Sequence, residues 1–340
     1  MDWTEEKHVR HPKHVNGVPG CAVALCAAAT LLASPAGVLA QPAWPAKPVR
    51  LVLPFPPGGG TDILGRTIAL RLGEAIGQPV LTDNRPGAGG NLGTEIVARA
   101  APDGYTAVLV APGFVISPSM YRKLGYDPFK DFEPVSLVAW IPNLLAVHPS
   151  LPVQNVKDLV AYARANPGKI SFGSGGVGTS NHLGTELLAV RTGTQMVHVP
   201  YKGAATAMMD TVAGNVQVIT IGTGAALAQI RAGKLRALAT LTPARVPNAP
   251  EVPTIAEAGF PGLEVLTWYG VFVPARTPRP IVDRLNGELS RLMFEPDVRE
   301  RLSSIGAEPM KSTTTETARF IREEFKRWAE VIKAARLQVD

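Results

Sequence analysis

Beyond residue 48 the apolar positions follow two rhythms that take turns along the chain. Short, nearly unbroken apolar runs are VRLVLPF, VLTDN, YTAVLVAP, KISFGS, MVHVPY, VQVITIG and LRALAT. Between them lie ILGRTIALRLGEAIG, NLGTEIVARAA, SNHLGTELLAVRTG, AATAMMDTVAG and ALAQIRAGK, whose apolar residues recur every three to four positions. The first pattern suits strands buried on both faces, the second suits helices with one buried stripe. Their alternation predicts an α/β fold of strand-helix units stacked into mostly parallel sheets flanked by helices.

Two longer apolar segments break the rhythm: FEPVSLVAWIPNLLAVHP from residue 132 and LEVLTWYGVFVP from residue 263. Strands of that length can cross between two lobes. The predicted plan is lobe I at 41–142 plus 268–340, lobe II at 143–267, and a cleft between them. The closing stretch from TPRPIVDRLNGELSRLMF to EEFKRWAEVIKAARL reads as helices returning to the first lobe.

The first forty residues differ. Lys7, Arg10 and Lys13 precede an uncharged apolar segment that ends in Val38, Leu39 and Ala40, the pattern of an export signal cleaved near Ala40. A membrane anchor fits less well, because Pro19, Gly20 and Pro35 interrupt the apolar stretch. This reading takes the protein out of the cytoplasm. Cys21 and Cys26 are the chain's two cysteines and both lie in the signal, so the exported chain needs no disulfide, thiol nucleophile or cysteine metal site. A length of 340 residues fits two ordinary domains. The net charge of +6 is scattered rather than gathered into a stripe, which argues against a nucleic-acid partner.

Glycine-rich loops recur at one place in successive units, after a strand and before a helix: PPGGGTD at 56–62, RPGAGGN at 85–91, GSGGVGTSN at 173–181 and PYKGAA at 200–205. The first N–H groups of a helix have no partner inside it, and the helix dipole adds partial positive charge there. Glycine lets an anion approach those amides. For one loop alone a tight turn with Thr61, Asp62, Asn91, Thr179 or Ser180 as helix caps is explanation enough. Two such loops, one in each predicted lobe, point instead to an anion held in the cleft by loops 56–62 and 173–181.

Other chemistries fit less well. Residues 173–178 match G-x-G-x-x-G, yet the next strand ends His198-Val199-Pro200-Tyr201 without the carboxylate that would hold a ribose. Ser174 lacks the glycine two residues earlier that a nucleophile elbow needs. His148, His182 and His198 show no metal-ligand spacing. No catalytic residue, metal or cofactor is therefore predicted. His182 stands on the first turn after a glycine loop, where it touches an anion or packs, with Glu186 as its local partner.

Nine segments in order, PFPPGGGTD, DNRPGAGGNLG, APDGYT, YDPFKDFEPV, GSGGVGTSNHLGTELL, VPYKG, AGKLRALA, EVPTIAEAGFPG and WYGVFVPARTP, give the chain a specific resemblance. It resembles the substrate-binding receptors of tripartite tricarboxylate transporters, the Bug-type periplasmic receptors, over nearly all of the sequence after the signal. That resemblance implies a two-lobed, type II periplasmic-binding-protein fold. It also implies a monomer that closes on a small mono-, di- or tricarboxylate and delivers it to membrane permease subunits. The site residues it implies are Gly58, Gly59, Thr61 and Asp62 in one lobe, and Ser174, Gly175, Gly176, Thr179 and His182 in the other. Tyr201 and Lys202 are candidates beside them, and Phe55 and Trp268 are candidates for walls or core. Where the family often has acidic residues on the strand VQVITIG, this chain has Gln217, Ile221 and Gly222, which hints at a different ligand. With Asp62 the one carboxylate within the two main loops, a ligand without an amine is expected. An exported hydrolase using the same cleft, and a sensor-type receptor without a permease, are the alternatives.

Overall fold

The computed structural model describes residues 44–335 and 337; the expected export signal lies outside them. The chain starts β1 (Val49–Leu53), α1 (Gly60–Ile76), β2 (Val80–Asn84), α2 (Asn91–Ala98), β3 (Thr106–Val110), α3 (Gly113–Met120) and β4 (Phe132–Val147). It continues α4 (Val156–Ala165), β5 (Ser171–Ser174), α5 (Ser180–Thr192), β6 (Val197–Pro200), α6 (Ala204–Val212), β7 (Val218–Gly222), α7 (Thr223–Arg231) and β8 (Arg236–Thr240). It closes β9 (Leu266–Pro274), α8 (Arg279–Leu292), α9 (Pro296–Ser304), β10 (Glu308–Pro309) and α10 (Thr314–Ala335). All seven predicted apolar runs are strands, and both longer segments are the long strands β4 and β9.

These strands form one curled sheet in the order β2-β1-β3-β9-β4-β7-β5-β6, with β8 and β10 also paired to β4. The outer pairings are parallel, β1 with β2 and β3, and β5 with β6 and β7. The two long strands run antiparallel to their neighbours. β4 changes partners within its length. It pairs β9 from Phe132 to Pro142, then β7 from Asn143 to Val147.

Packing fixes where the helices start. Leu64, Ile68, Leu72 and Ile76 of α1 are buried against β1, each such side chain contributing about 1.5–3 kcal/mol. Gly65 allows the close seating: a Cβ there would lie 2.4 Å from Leu53 Cδ2. The first turn of α1 is thereby held at the carboxyl end of β1, and α5 is anchored against β5 and β7 through buried Leu183, Gly184 and Thr185.

Candidate functional site

The first glycine loop is shaped from within. Asp62, 5% exposed, accepts hydrogen bonds from Gly58 N at 3.0 Å, Arg66 Nε at 3.0 Å and Asn84 Nδ2 at 2.9 Å. Burial pushes this carboxyl up, but the hydrogen bonds from Arg66, Gly58 and Asn84 outweigh it and hold Asp62 below its usual range. Gly58, at φ +83°, makes the turn and spends its own amide on Asp62. Among the described residues, the amides of Gly59, Gly60 and Thr61 have no hydrogen-bond partner.

The third loop is shaped the same way. Ser174 Oγ bonds the Gly176 carbonyl at 3.1 Å and lies 2.6 Å from His198 Nε2. Thr179 caps α5 and also bonds the Gly176 carbonyl, at 2.8 Å. His182 is 3% exposed, its Nδ1 accepts from Gly178 N at 3.2 Å, and its Nε2 lies 3.7 Å from Glu186. The rings of His182 and His198 stack 3.9 Å apart, with Phe172 against both. Burial and the neighbouring His182 push His198 down to about 3. Among the described residues, the amides of Gly175, Ser180 and Asn181 have no partner.

One strand brings the two loops together. Ser180 Oγ, at the start of α5, lies 2.7 Å from Thr267 Oγ1 on β9, and Asn143 Nδ2 of β4 holds the same threonine at 2.9 Å. Thr61, at the start of α1, lies beside the buried phenol of Tyr269, which is displaced upward by burial and partly restored by that hydroxyl. Thr267 and Tyr269 are two residues apart on β9, so they share a face roughly 7 Å apart. The starts of α1 and α5 therefore meet within the length of one small acid. Ile141 lies against the start of α1 and the end of β7. A Cβ on Gly60 would be 3.6 Å from its Cδ1, and one on Gly222 would be 2.7 Å from its Cγ2. That contact explains glycine at the end of β7.

The remaining loops join the same cluster. A Cβ on Gly89 of the second loop would lie 2.4 Å from the Val177 carbonyl of the third, and one on Gly203 would lie 3.9 Å from Pro56 Cγ. Phe55 is half-buried beside Gly90. Tyr201 donates its hydroxyl to Asp210, and burial with that carboxylate pushes it up to about 12. Lys202 is exposed. Trp268 is core: it is 2% exposed and its indole donates to Glu324 of α10 at 3.1 Å.

The structure thus links Thr61 at the start of α1 and Ser180 at the start of α5 through Tyr269 and Thr267 of β9. The side chains of Asp62, Ser174, Thr179 and His182 hold the loops, while Tyr201 turns its hydroxyl to α6. Sequence reasoning missed His198, Asn84, Asn143 and Thr267. A wider open groove of about 700 Å³ lies between α1 and α9; of the arginines lining it, Arg66 is paired with Asp62 and Arg71 with Glu74, Glu295 and Asp297.

The chain is similar to known proteins over most of its length. Residues 64–337 match the tripartite tricarboxylate transporter family receptor. A UPF0065 protein of a Pseudomonas species is 42% identical over 299 residues, covering 88% of this chain and 89% of its own. Rpa4515 of R. palustris, solved with adipate, is 40% identical with a TM-score of 0.81, covering 87% of this chain and 99% of that one. The periplasmic binding protein BugD is 36% identical with a TM-score of 0.80, covering 87% and 99%.

Proposed function

The chain belongs to the tripartite tricarboxylate transporter receptor family, and on that premise we propose that it is an exported, monomeric receptor that holds a small carboxylate between the starts of α1 and α5 and hands it to a membrane permease. The family is one of solute-binding receptors of the periplasm rather than an enzyme class. One observation carries the reading for this chain: among the described residues the amides of Gly59, Gly60 and Thr61 and those of Gly175, Ser180 and Asn181 have no hydrogen-bond partner, and Thr267 and Tyr269 of β9 tie the two helix starts together.

Magnitudes say how the anion is held. A micromolar Kd corresponds to about 8 kcal/mol, whereas a helix dipole contributes about 1 kcal/mol. Direct hydrogen bonds to a charged group, about 1.5–3 kcal/mol each, have to supply the rest. Several amides per loop meet that need, and no formal cation is required. Adipate on the related Rpa4515 supports a carboxylate of this size. In this reading lobe I is 41–142 plus 268–340 and lobe II is 143–267. They close on the acid about the point where β4 changes partners, Pro142 to Asn143, and about β9.

Titration calorimetry with succinate, malate, adipate and citrate tests this directly. Binding of at least one, with no turnover of simple esters, is the expected result. Ester turnover abolished by Ser174→Ala would replace the receptor with a hydrolase.

A further inference from the structure

The second glycine loop, residues 85–91, takes no part in holding the acid in this reading, yet its backbone is unusual. Gly87, Ala88, Gly89 and Gly90 have φ of +143°, +48°, +66° and +105° in succession. Ala88 is one of two non-glycine residues with positive φ among those described. A conformation of that kind persists where the surroundings over-determine it, and it gathers at functional contacts.

The contact in question is with the third loop. A Cβ on Gly89 would lie 2.4 Å from the Val177 carbonyl oxygen, well inside the roughly 3.5 Å at which non-bonded heavy atoms rest. Gly89 therefore seats on that carbonyl with bare backbone. On its other side the Gly89 carbonyl meets the start of α3, where a Cβ on Gly113 would be 3.1 Å from it. Gly178 lies over the same helix, its Cβ position 3.6 Å from Met120 Sδ and 3.8 Å from Ser117 Oγ. The second loop and α3 thus clasp the loop that carries Gly175 and leads into α5.

The second loop follows β2 and the third follows β5. In the sheet order β2-β1-β3-β9-β4-β7-β5-β6 these two strands lie on opposite sides of the crossing pair β9 and β4. The contact therefore joins lobe I to lobe II across the hinge rather than at it. Opening about Pro142 to Asn143 and about β9 pulls it apart, and closing remakes it.

We propose that Gly89 on the Val177 carbonyl is the closing contact of the receptor, made as the lobes shut, and that it sets how tightly and how long the acid is held without touching it. The proposal rests on the receptor reading and adds to it a positioning residue outside the two anion-binding loops.

Gly89→Ala tests the proposal, because its methyl group keeps the loops from seating. Gly168→Ala is the matched control: Gly168 has φ +70°, so alanine carries similar backbone strain there, and no atom lies within 4 Å of its Cβ position. Calorimetry with succinate, malate, adipate and citrate finds the acid that wild type binds most tightly, and that acid is used throughout. Gly89→Ala is expected to bind it at least tenfold more weakly, with faster dissociation in stopped flow, and Gly168→Ala within twofold of wild type. Spin labels on Ala88→Cys and Lys202→Cys, exposed positions on opposite lobes of an exported chain without other cysteines, read closure directly. The acid should shorten their separation, except in the Gly89→Ala background. Should Gly89→Ala fail to fold, the labelled pair alone decides, shortening with acid supporting the contact. A loss smaller than tenfold in folded Gly89→Ala, an equal loss in Gly168→Ala, or a separation that the acid leaves unchanged would overturn the closing contact while the receptor reading stands. Wild-type protein that binds none of the four acids would overturn both.

Discussion

Ser180 Oγ lies 2.7 Å from Thr267 Oγ1. Two residues farther along β9, Tyr269 has Thr61 beside it. Through this pair of contacts one strand sets the spacing between two helix starts that belong to distant parts of the chain. The hydroxyl contact joins two side chains, so one substitution removes it. Thr267→Val removes it and leaves the Ser180 and Asn143 side chains short of a partner, at a cost of about 1–3 kcal/mol. We expect Tm to fall by roughly 2–12 °C at 2–4 °C per kcal/mol for a chain of this size, and carboxylate affinity to fall about tenfold. Calorimetry on Thr267→Ser, which restores the hydroxyl, should return most of that affinity.

Gly59 has φ −85°, and the nearest atom to a Cβ there is the Pro56 carbonyl at 3.9 Å, so a side chain fits the fold. It would stand in front of the amides of Gly60 and Thr61. Gly59→Val should therefore bind carboxylate at least 100-fold more weakly while Tm changes by less than about 3 °C. Wild-type affinity in a folded variant would remove the first loop from the site. Gly178 is different: at φ +79° any side chain is strained, so Gly178→Val should lose both binding and stability.

Asp62 gives a pH signature. Its carboxyl sits below its usual value in the folded protein. Its contribution is therefore complete above the unfolded value of about 3.9 and is lost as pH falls through the lower folded value. At pH 7, Asp62→Ala should melt lower than wild type by roughly 4–8 °C, for about 2 kcal/mol of lost hydrogen bonding. The gap should narrow only below about pH 4. Thermal melting of both proteins from pH 7 to pH 3 checks this, and a gap that is constant down to pH 3 would show that the charge plays no part.

How much of this was legible in the sequence divides by distance along the chain. The apolar runs reported strands, the inner ones β1, β3, β5 and β7 because they are largely buried on both faces and the half-exposed edge strands β2 and β6 by composition alone, and the glycine loops reported helix starts, because both signals are local. α4 carries the same signal, with Val156, Leu159, Val160 and Ala163 buried and Asn155 as its cap, yet it is absent from the predicted set. α3 has no readable period: six of its eight residues are buried and Pro118 lies inside it. The convergence of the loops depends on Thr267, which is 87 residues from Ser180 and 124 from Asn143, and no local pattern encodes such a pairing. His198 reads as a strand end and turns out to hold Ser174 from an adjacent strand. Trp268 reads equally as wall or core, and the answer came from Glu324 on the last helix.

His198 supplies an opposite pH effect to test. Burial and His182 push it down to about 3, below an unfolded value of about 6.5. Between those values the unfolded chain takes up a proton that the folded chain does not, so stability falls as pH drops from about 6.5 toward 3. His198→Gln keeps a polar group near Ser174 and removes the titration. Its Tm relative to wild type should rise steadily as pH is lowered from 6.5 to 4, and a flat difference would place the His198 proton elsewhere.

The central claim is that one carboxylate ligand engages both helix starts at once. Amide NMR of the uniformly nitrogen-15-labelled, deuterated protein reads this at the atoms concerned. During titration with the acid that gives the strongest calorimetric response, the amides of Gly59, Gly60 and Thr61 and those of Gly175, Ser180 and Asn181 should shift together. Both sets should follow one saturation curve, with the proton shifts moving downfield as hydrogen bonds to a carboxylate form. Movement of one set alone, or saturable binding that leaves both sets in place, would contradict the account.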